Sequence, residues 1–233
     1  MTKDALGRTL EDMVAELTNV GLRNRQDAED YDAFSLEVLQ PWDDIFLKRC
    51  VQLRPVVFGT FVDVGAGTGV LLQRLSRSPA FLGWSLIGVE PFEDMVLAGR
   101  GRFMAERIPA EMILGDAHVL PFENDSVDMV ASRATIHHLP DKPKALVEMF
   151  RVLRSGGVGL IHDARRDMPL HLRESFNRMR ASVGYGPTTL TEKLTPDEMN
   201  RLLEQAGLSA HAELRFSDRG LEALGFEVVI RKP

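Results

Sequence analysis

The sequence predicts an α/β fold: a mostly parallel sheet of seven strands with one antiparallel edge strand, helices on both faces and an N-terminal helical cap. Three observations predict it. From residue 56 onward, short and continuously apolar runs alternate with helix-forming segments, as expected for parallel strands joined by crossover helices. The first run leads into a glycine-rich turn that precedes another helix-forming segment. Before residue 56 the apolar spacing is helical and gives no strand signal.

The N-terminal segment predicts helices only. Apolar residues recur at helical spacing over residues 6–17, and a second helical stretch begins near Tyr31. Pro41 marks a break in that stretch or the start of a new helix. We expect residues 1–55 to form a cap within the same domain as residues 56–233, which carry a cap-like insertion at 164–194.

The remaining elements follow in order along the chain. The five apolar runs expected to be parallel strands are 61–64, 86–89, 112–114, 127–131 and 158–161. The segments expected to be helices are 71–77, 92–103, 144–153, 170–183 and a helix from the N-cap Thr195 to Gly207. Residues 154–157 are expected to end the third of these helices with a glycine stop. The last two runs, 211–216 and 226–230, predict an antiparallel pair.

Composition and charge are those of an ordinary globular protein. With 233 residues, 44% apolar and 27% charged, the chain is long enough for one domain with a sizeable core. A net charge of −6 argues against a general nucleic-acid binder. The single cysteine, Cys50, fits a reducing compartment, and neither a signal peptide nor an apolar run of ~20 residues is recognisable. These features predict a cytoplasmic protein without a membrane span.

The most informative motif is the turn after the first apolar run, Val62-Asp63-Val64-Gly65-Ala66-Gly67-Thr68-Gly69. Glycines let the backbone turn tightly and approach a ligand closely, and the following helix presents unpaired N–H groups there. The spacing departs from the dinucleotide pattern G-x-G-x-x-G, because position 70 is valine. Asp63 adds a carboxylate that would repel a pyrophosphate and attract an ammonium group.

This motif resembles motif I of the class I S-adenosylmethionine-dependent methyltransferases. Residues 115–122, 125–130 and 153–157 are similar to the middle motifs of the ubiquinone/menaquinone-biosynthesis type, and the resemblance covers about residues 56–163 and, more loosely, 195–233. It implies a Rossmann-like fold, S-adenosylmethionine as cofactor and S-adenosylhomocysteine as product. Methyl transfer to a small molecule, in secondary-metabolite or quinone-like biosynthesis, is the implied activity.

Other functions stay open on the sequence alone. One is a protein that binds S-adenosylmethionine without transferring a methyl group, or that serves a partner methyltransferase. Another is a NAD-dependent dehydrogenase on the same fold, against which the glycine spacing argues. The sequence does not distinguish a monomer from a homodimer.

The expected cofactor contacts lie after the first four strands. Glu90, about twenty residues behind the glycine turn, could accept hydrogen bonds from a ribose diol. In the family that the chain resembles, an acid at the position of Asp116 contacts the adenine. The full expected set is Asp63, Gly65, Ala66, Gly67, Gly69, Glu90, Pro91, Asp116, Ala117 and Arg133.

The catalytic candidates are His137 and His138 after the fourth strand and Asp163 at the end of the fifth. Ligands bind at the carboxyl ends of parallel strands, and histidine can act as a base near neutral pH. Structural roles for all three remain an alternative. No metal is expected, because adjacent histidines do not easily chelate one ion.

Two features bear on the acceptor. Arg165, Arg166, His171 and Arg173 make the segment after the fifth strand basic, which either an anionic acceptor or a solvated helix face would explain. Tyr31, Phe34 and Trp42 are aromatic residues that could close over the site or belong to the core.

Overall fold

A seven-stranded sheet forms the centre of the computed structural model, which describes residues 34–35 and 37–233. The strands are β1 (Thr60–Val64), β2 (Ser85–Glu90), β3 (Ala110–Leu114), β4 (Val127–Arg133), β5 (Leu153–Ala164), β6 (Ala212–Phe216) and β7 (Gly225–Arg231). Their order is β3-β2-β1-β4-β5-β7-β6. β1 to β5 are parallel, whereas β7 runs antiparallel to both β5 and β6 and lies one place in from the edge. The predicted fold class is confirmed.

The strand order reverses between β1 and β4. β1 pairs with β2 on one side and with β4 on the other, in parallel register on both. The chain therefore leaves the carboxyl ends of β1 and β4 in opposite directions. A crevice opens at such a point, and ligands bind there in open α/β sheets.

Helices cover both faces of the sheet. They are α1 (Gln40–Leu53), α2 (Val70–Ser76), α3 (Glu93–Glu106), α4 (Lys142–Val152), α5 (Leu170–Ser182) and α6 (Pro196–Gln205). On one face, buried residues of α4 and α6 such as Leu146 and Leu203 pack against the sheet. On the other, α1, α2 and α3 contribute Phe46, Leu72 and Phe103. Because both faces are covered, the central strands are buried at almost every position rather than at alternate ones.

Local sequence signals account for several helix starts. Thr195 accepts a hydrogen bond from the backbone N–H of Glu198, whose side chain accepts one from the Thr195 N–H, so the predicted N-cap of α6 is a complete capping box. Pro41 lies in the first turn of α1, where a missing N–H costs nothing. It marks the start of a new helix, one of the two alternatives for this position.

The predicted glycine stop at residues 154–157 is wrong. The helix before it ends at Val152, and β5 already begins at Leu153. Gly156, with φ of +78°, donates its N–H to the Lys232 carbonyl (2.9 Å), and the Lys232 N–H donates to the Gly157 carbonyl (3.1 Å). These glycines therefore bend the start of a strand that the C-terminal end of the chain holds in place.

The described part of the cap packs against the segment after β5. Phe34, Val38 and Trp42 form a buried cluster with Phe176 of α5 and Leu224. The helix expected over residues 6–17 and the start of the second one near Tyr31 lie outside the described residues. The division of the chain into a cap and an insertion stays a prediction. None of the helices in the described part of the chain is both long and apolar enough to cross a membrane.

Candidate active site

Two adjoining cavities open beside the carboxyl ends of β1 and β4. The first, called the loop cleft, encloses about 800 Å³ next to the glycine turn and β2. The second, called the aromatic cavity, encloses about 1110 Å³ between the strand ends, α1 and α5. Ala134 and His138 line both, so a molecule in one would face a molecule in the other.

The glycine turn depends on left-handed backbone geometry. Gly65, Gly67 and Gly69 have φ of +76°, +55° and +77°. A Cβ on Gly65 would collide with the side chain of Thr135, whose hydroxyl donates to the Gly65 carbonyl (3.2 Å). The Gly65 N–H donates to the Val89 carbonyl (2.8 Å), so the turn crosses from β1 toward β2. Glycine is required here by conformation and by space alike.

Glu90 holds the glycine turn from the end of β2. Its carboxylate accepts hydrogen bonds from the N–H of Gly67 (2.9 Å) and the N–H of Phe92 (3.3 Å). Burial raises the pKa of Glu90 to about 7, although the two N–H donors oppose the rise. Glu90 also lines the loop cleft, so it presents a carboxyl group to any ligand there.

Asp63 is a buried acid with one unpaired oxygen. It is 3% exposed, and its Oδ1 has no hydrogen-bond partner among the described residues. Burial raises its pKa to about 7, with Glu90 and Asp43 adding to the rise and Arg133 opposing it. Such a group favours binding of a positively charged ligand that would stabilise its ionised form.

Asp116 follows β3 and presents one oxygen to the loop cleft. Its Oδ1 accepts from the N–H of His118 (3.1 Å) and lies 2.6 Å from His118 Nδ1. His118 Nε2 in turn accepts from the N–H of Asp141 (3.3 Å). Within the described part of the chain, Asp116 Oδ2 is buried without a hydrogen-bond partner. The sequence analysis missed His118, which the Asp-x-His pattern after the strand could have indicated.

Arg133, a predicted cofactor residue, joins α1 to the end of β4. Its Nε lies 2.5 Å from Asp43 Oδ1, and both side chains are almost fully buried. Arg133 also lines the aromatic cavity and a smaller cavity of about 330 Å³ beside Asp63 and Ala66. Asp43 has no motif around it and was not singled out in the sequence. The pair fixes the cap helix next to the glycine turn.

The structure brings the predicted cofactor residues together, with one exception. Gly65, Gly67, Glu90, Pro91, Asp116 and Ala117 line the loop cleft, and Asp63, Gly65, Ala66 and Arg133 line the smaller cavity. Gly69 lies outside these linings, at the start of α2, where a Cβ would come within 2.6 Å of the Phe103 ring. The role of Gly69 is therefore to allow the turn and the packing of α3.

His137 and Asp163 form a buried pair at the floor of the aromatic cavity. His137 Nδ1 lies 2.7 Å from each Asp163 oxygen, and the His137 N–H donates to Oδ2 (3.1 Å). Burial alone would raise the pKa of Asp163, but His137 and Lys193 hold it well below its ordinary value. On its other side, His137 Nε2 contacts the Nζ of Lys193. Sequence reasoning missed Lys193, which lies in a loop without a recognisable motif.

His138 lies at the boundary of the two cavities. Burial, with the neighbouring His137 and Lys193 acting in the same direction, lowers its pKa to about 3. Its ring is therefore neutral over the physiological range and a weak base. The ring centroid is 3.7 Å from that of His137, which places the two predicted histidines in contact.

Aromatic rings and one arginine form the outer wall of the aromatic cavity. Phe34 stacks on Tyr185 with centroids 4.6 Å apart, and Trp42 packs edge-on against Phe176 at 5.2 Å. The Arg180 guanidinium lies over the rings of Phe34, Tyr185 and Phe176 at 5.0, 5.6 and 5.7 Å. Phe34 and Trp42 thus lie at the site, while Tyr31 is outside the described residues. The spacing of Phe176 and Arg180 on one helix face could have indicated this cluster.

Arg165 and Arg166 of the basic segment after β5 do not line the aromatic cavity. Arg165 pairs with Asp167 (2.8 Å) and Asp218 (3.4 Å), and Arg166 pairs with Glu198. These ion pairs give both arginines structural roles. The cations that line the aromatic cavity are instead Arg180, Lys193 and Arg133.

Comparisons with known proteins agree with the fold. A family model described as a methyltransferase domain matches residues 62–161. The demethylmenaquinone methyltransferase of Roseiflexus castenholzii is 30% identical over 171 residues, which is 66% of this chain and 70% of that protein. The ubiquinone/menaquinone biosynthesis C-methyltransferase UbiE of Dinoroseobacter shibae is 36% identical over 119 residues, which is 50% of this chain and 45% of that protein. The chain thus spans less than half the length of the second relative.

A solved structure extends the similarity of fold. The S-adenosylmethionine-dependent methyltransferase of Aquifex aeolicus superposes with a TM-score of 0.66 at 20% identity, over 89% of this chain and 98% of that one. At this identity the likeness concerns the fold alone.

Proposed function

We propose that this chain, which belongs to the class I S-adenosylmethionine-dependent methyltransferases of the ubiquinone/menaquinone-biosynthesis type, methylates a hydroxylated aromatic small molecule held in the aromatic cavity. The observation that carries the proposal is the shared boundary of the two cavities at Ala134 and His138. Acids line the loop cleft and the smaller cavity beside it, whereas the aromatic cavity has rings, the cations Arg180 and Lys193, and the acids Asp163 and Glu192. A cationic donor on the first side would therefore meet, at this boundary, an acceptor held among rings and cations.

The residues of the loop cleft and the smaller cavity fit the cofactor. Asp63 Oδ1 and Asp116 Oδ2 are buried oxygens without partners, which would pair with the ammonium group and the adenine amino group. Glu90 would accept hydrogen bonds from the ribose hydroxyls. When bound, the cofactor supplies a methyl group activated on a sulfonium ion.

The chain's own residues contribute mainly position and exclusion of water. Methyl transfer is an in-line displacement, so holding the reacting atoms close and aligned lowers the barrier most. The rings of Trp42, Phe34, Tyr185 and Phe176 offer a planar acceptor apolar contact and keep water out. Two relatives that are named as quinone-biosynthesis methyltransferases support a quinol-like acceptor.

Arg180 supports an anionic group on the acceptor. Burial lowers the pKa of Arg180, so its charge has lost part of its hydration. Its Nε donates to the Gly186 carbonyl (2.7 Å), which fixes the guanidinium against the rings. A carboxylate or ring oxyanion in the cavity would replace the lost hydration by a charge-assisted contact.

The packing of α5 against Phe34 and Trp42 further supports one acceptor-side cap built from residues 1–55 and 164–194. The single cysteine, Cys50, is free and buried, which supports a reducing compartment such as the cytoplasm.

Methyl-labelled S-adenosylmethionine tests the proposal. The acceptors are 1-naphthol, 1,4-naphthohydroquinone and 1-hydroxy-2-naphthoate, and mass spectrometry follows the label. We expect transfer, with a KM for the naphthoate about tenfold below that of 1-naphthol and a loss of this preference in Arg180→Met. Tight binding of S-adenosylhomocysteine without transfer to any acceptor would favour a non-methylating protein.

A matched pair of variants tests the cofactor assignment. Glu90→Gln should weaken S-adenosylhomocysteine about tenfold or more, because a buried hydrogen-bonded carboxylate is lost. Glu111→Gln, on the exposed side of β3, should leave the affinity unchanged. Equal affinities of the two variants in calorimetric titration would contradict the ribose role of Glu90.

A further inference from the structure

We propose that Lys193 takes the proton from the acceptor's hydroxyl group and then pairs with the oxygen anion that remains. The inference rests on the proposed function, since it names the residue that prepares the acceptor. It also transfers to Lys193 the role of base that the sequence suggested for His137 or His138.

The backbone around Lys193 is held rigidly at the edge of the aromatic cavity. Leu194 forms a β-bridge with Arg165 directly after β5, and its carbonyl accepts the N–H of Arg166 (2.9 Å). The Arg166 guanidinium donates to the Lys193 carbonyl (3.2 Å), and the Lys193 N–H donates to the Leu190 carbonyl (3.0 Å). A side chain anchored in this way loses little further freedom when it engages a ligand.

The Nζ of Lys193 is oriented by a chain of two buried groups. Asp163 holds His137 through Nδ1, and the side chains of Asp163 and His137 are 1% and 2% exposed. We assign the His137 proton to Nδ1, because both carboxylate oxygens face it; Nε2 is then an acceptor and meets Nζ. One hydrogen of Nζ is thereby fixed, and the rest of the group lies at the cavity lining. Asp163 and His137 are positioning residues in this arrangement.

Burial at the cavity edge favours an unprotonated amine at Lys193. It is the main influence and lowers the pKa of Lys193, and the facing Arg180 of α5 acts in the same direction. Asp163 of β5 and Glu192 of the same loop oppose this, without reversing the direction. Arg133, His162, Tyr185 and His138 also line the cavity, and burial keeps the two histidines neutral, with pKa values of about 4 for His162 and about 3 for His138.

The proton and the electrons balance along this route. The O–H bond of the acceptor breaks, its proton passes to the lone pair of Nζ, and its electron pair stays on the oxygen. That pair, directly or through the conjugated ring, forms the bond to the methyl carbon while the carbon–sulfur bond breaks and its electrons stay on sulfur. Attack by a ring carbon requires that carbon to release its own proton to water afterwards. The ammonium formed at Lys193 is balanced by Asp163 through His137.

The test compares Lys193→Met with the control Lys48→Met, an exposed lysine of α1. The acceptors are 1-naphthol and 4-nitro-1-naphthol, the second being already ionised near neutral pH. With 1-naphthol we expect Lys193→Met to lower kcat about 100-fold, the usual contribution of a general base. With 4-nitro-1-naphthol, the kcat of Lys193→Met should be at most about threefold below that of the wild type, because no proton has to be removed. The kcat of Lys48→Met should match the wild type with both acceptors.

Further readouts separate proton transfer from shape and from folding. The affinity for S-adenosylhomocysteine and the melting temperature should match the wild type in Lys193→Met, and Lys193→Gln serves if the Met variant does not fold. Lys193→Arg keeps a positive charge that is not released, so it should also be slow with 1-naphthol and be rescued by the nitronaphthol. With the cofactor at a saturating concentration, the rise of kcat/KM for 1-naphthol with pH should be much smaller in all three variants than in the wild type.

Several results would overturn the inference. Equal losses with both acceptors and an unchanged pH profile would make Lys193 a packing residue, and no loss at all would remove it from the reaction. Either result leaves the proposed function intact. A wild-type protein that binds S-adenosylhomocysteine and methylates neither naphthol would overturn the proposed function, and this inference with it.

Discussion

Replacing Asp63 by asparagine should remove most of the pH dependence of cofactor binding near neutrality. In the free protein the carboxyl group has a pKa of about 7, because it is buried beside two further acids. A bound ammonium group would stabilise the carboxylate and return its pKa to the ordinary range near 4. Binding of S-adenosylhomocysteine, which carries this ammonium group, must then release the proton that Asp63 holds.

The size of the effect follows from the two pKa values. At pH 5.5 a group with a pKa of about 7 is protonated about 97% of the time, so affinity is reduced by a factor of about 30. At pH 7.5 the reduction is a factor of about 1.3, which leaves a gain of about 25-fold between the two pH values. This gain corresponds to about 1.9 kcal/mol. The asparagine side chain of Asp63→Asn has no proton to release, so the pH dependence of the variant should be about 25-fold smaller.

Without ligand, the free energy of unfolding should change with pH in the opposite direction to the affinity for S-adenosylhomocysteine. The pKa of Asp63 is raised on folding, so the folded chain binds the proton more tightly than the unfolded chain above pH ~4. Stability without ligand should therefore fall as the pH rises from about 4 to about 7. The shift in melting temperature caused by S-adenosylhomocysteine should grow over the same range in the wild type.

Calorimetric titration at pH 5.5, 6.5 and 7.5, in buffers of different ionisation enthalpy, measures affinity and released protons together. At pH 7 the wild type should release about half a proton more than Asp63→Asn. The two proteins should approach equal affinity at pH 5.5 and separate above it. A wild-type affinity that changes in parallel with that of the variant from pH 5.5 to 7.5 would refute the assignment of the ammonium group to Asp63.

Three further substitutions test the frame around the site. Gly65→Ala should abolish measurable S-adenosylhomocysteine binding, because the left-handed backbone costs alanine about 1–2 kcal/mol and its Cβ collides with Thr135. Calorimetric titration of the folded variant checks this, and adding Thr135→Ser to it should not restore binding. Asp43→Asn should destabilise the fold by about 3–5 kcal/mol in urea, because Arg133 is left buried without its ion-pair partner; a loss below about 1 kcal/mol would argue against the pair. Thr195→Ala removes the capping box and should lower the melting temperature by about 2–4 °C without changing kcat.

The core of the fold could be predicted because its signal is local. The strands β1, β2 and β4 each contain a short run rich in apolar residues, and each ends at a turn that the sequence marks. The start of β5 could not be predicted in this way. Its glycines are held by hydrogen bonds to Lys232, some 75 residues further along the chain, so a tertiary contact overrode a local signal typical of a helix end.

The residues of the site also fall into those that local sequence predicts and those that tertiary contacts place. The positions of Asp63, Glu90 and Asp116 could be predicted because strand ends of a parallel sheet meet at one edge, and the structure brings all three to that edge. Lys193 and Arg180 belong to the segment after β5, where the helical spacing of Phe176 and Arg180 is the one local indication and nothing marks Lys193. Their placement depends on the packing of α5 against α1 and on the bridge at Leu194.

The distribution of charge links the two halves of the site to one reaction. Asp116 lines the loop cleft and Asp63 the smaller cavity beside it, where a cationic donor would bind, and Arg180 and Lys193 line the aromatic cavity, where an anionic acceptor would bind. Opposite charges on donor and acceptor neutralise each other in the transition state, so a half-buried boundary at Ala134 and His138, from which the two ligands would exclude water, favours the reaction over its reactants. The methylated acceptor has lost the oxyanion that Lys193 would hold if oxygen is attacked. Such a product should therefore bind about tenfold or more weakly than its precursor, and product inhibition by 1-methoxynaphthalene as strong as competition by 1-naphthol would contradict this charge matching.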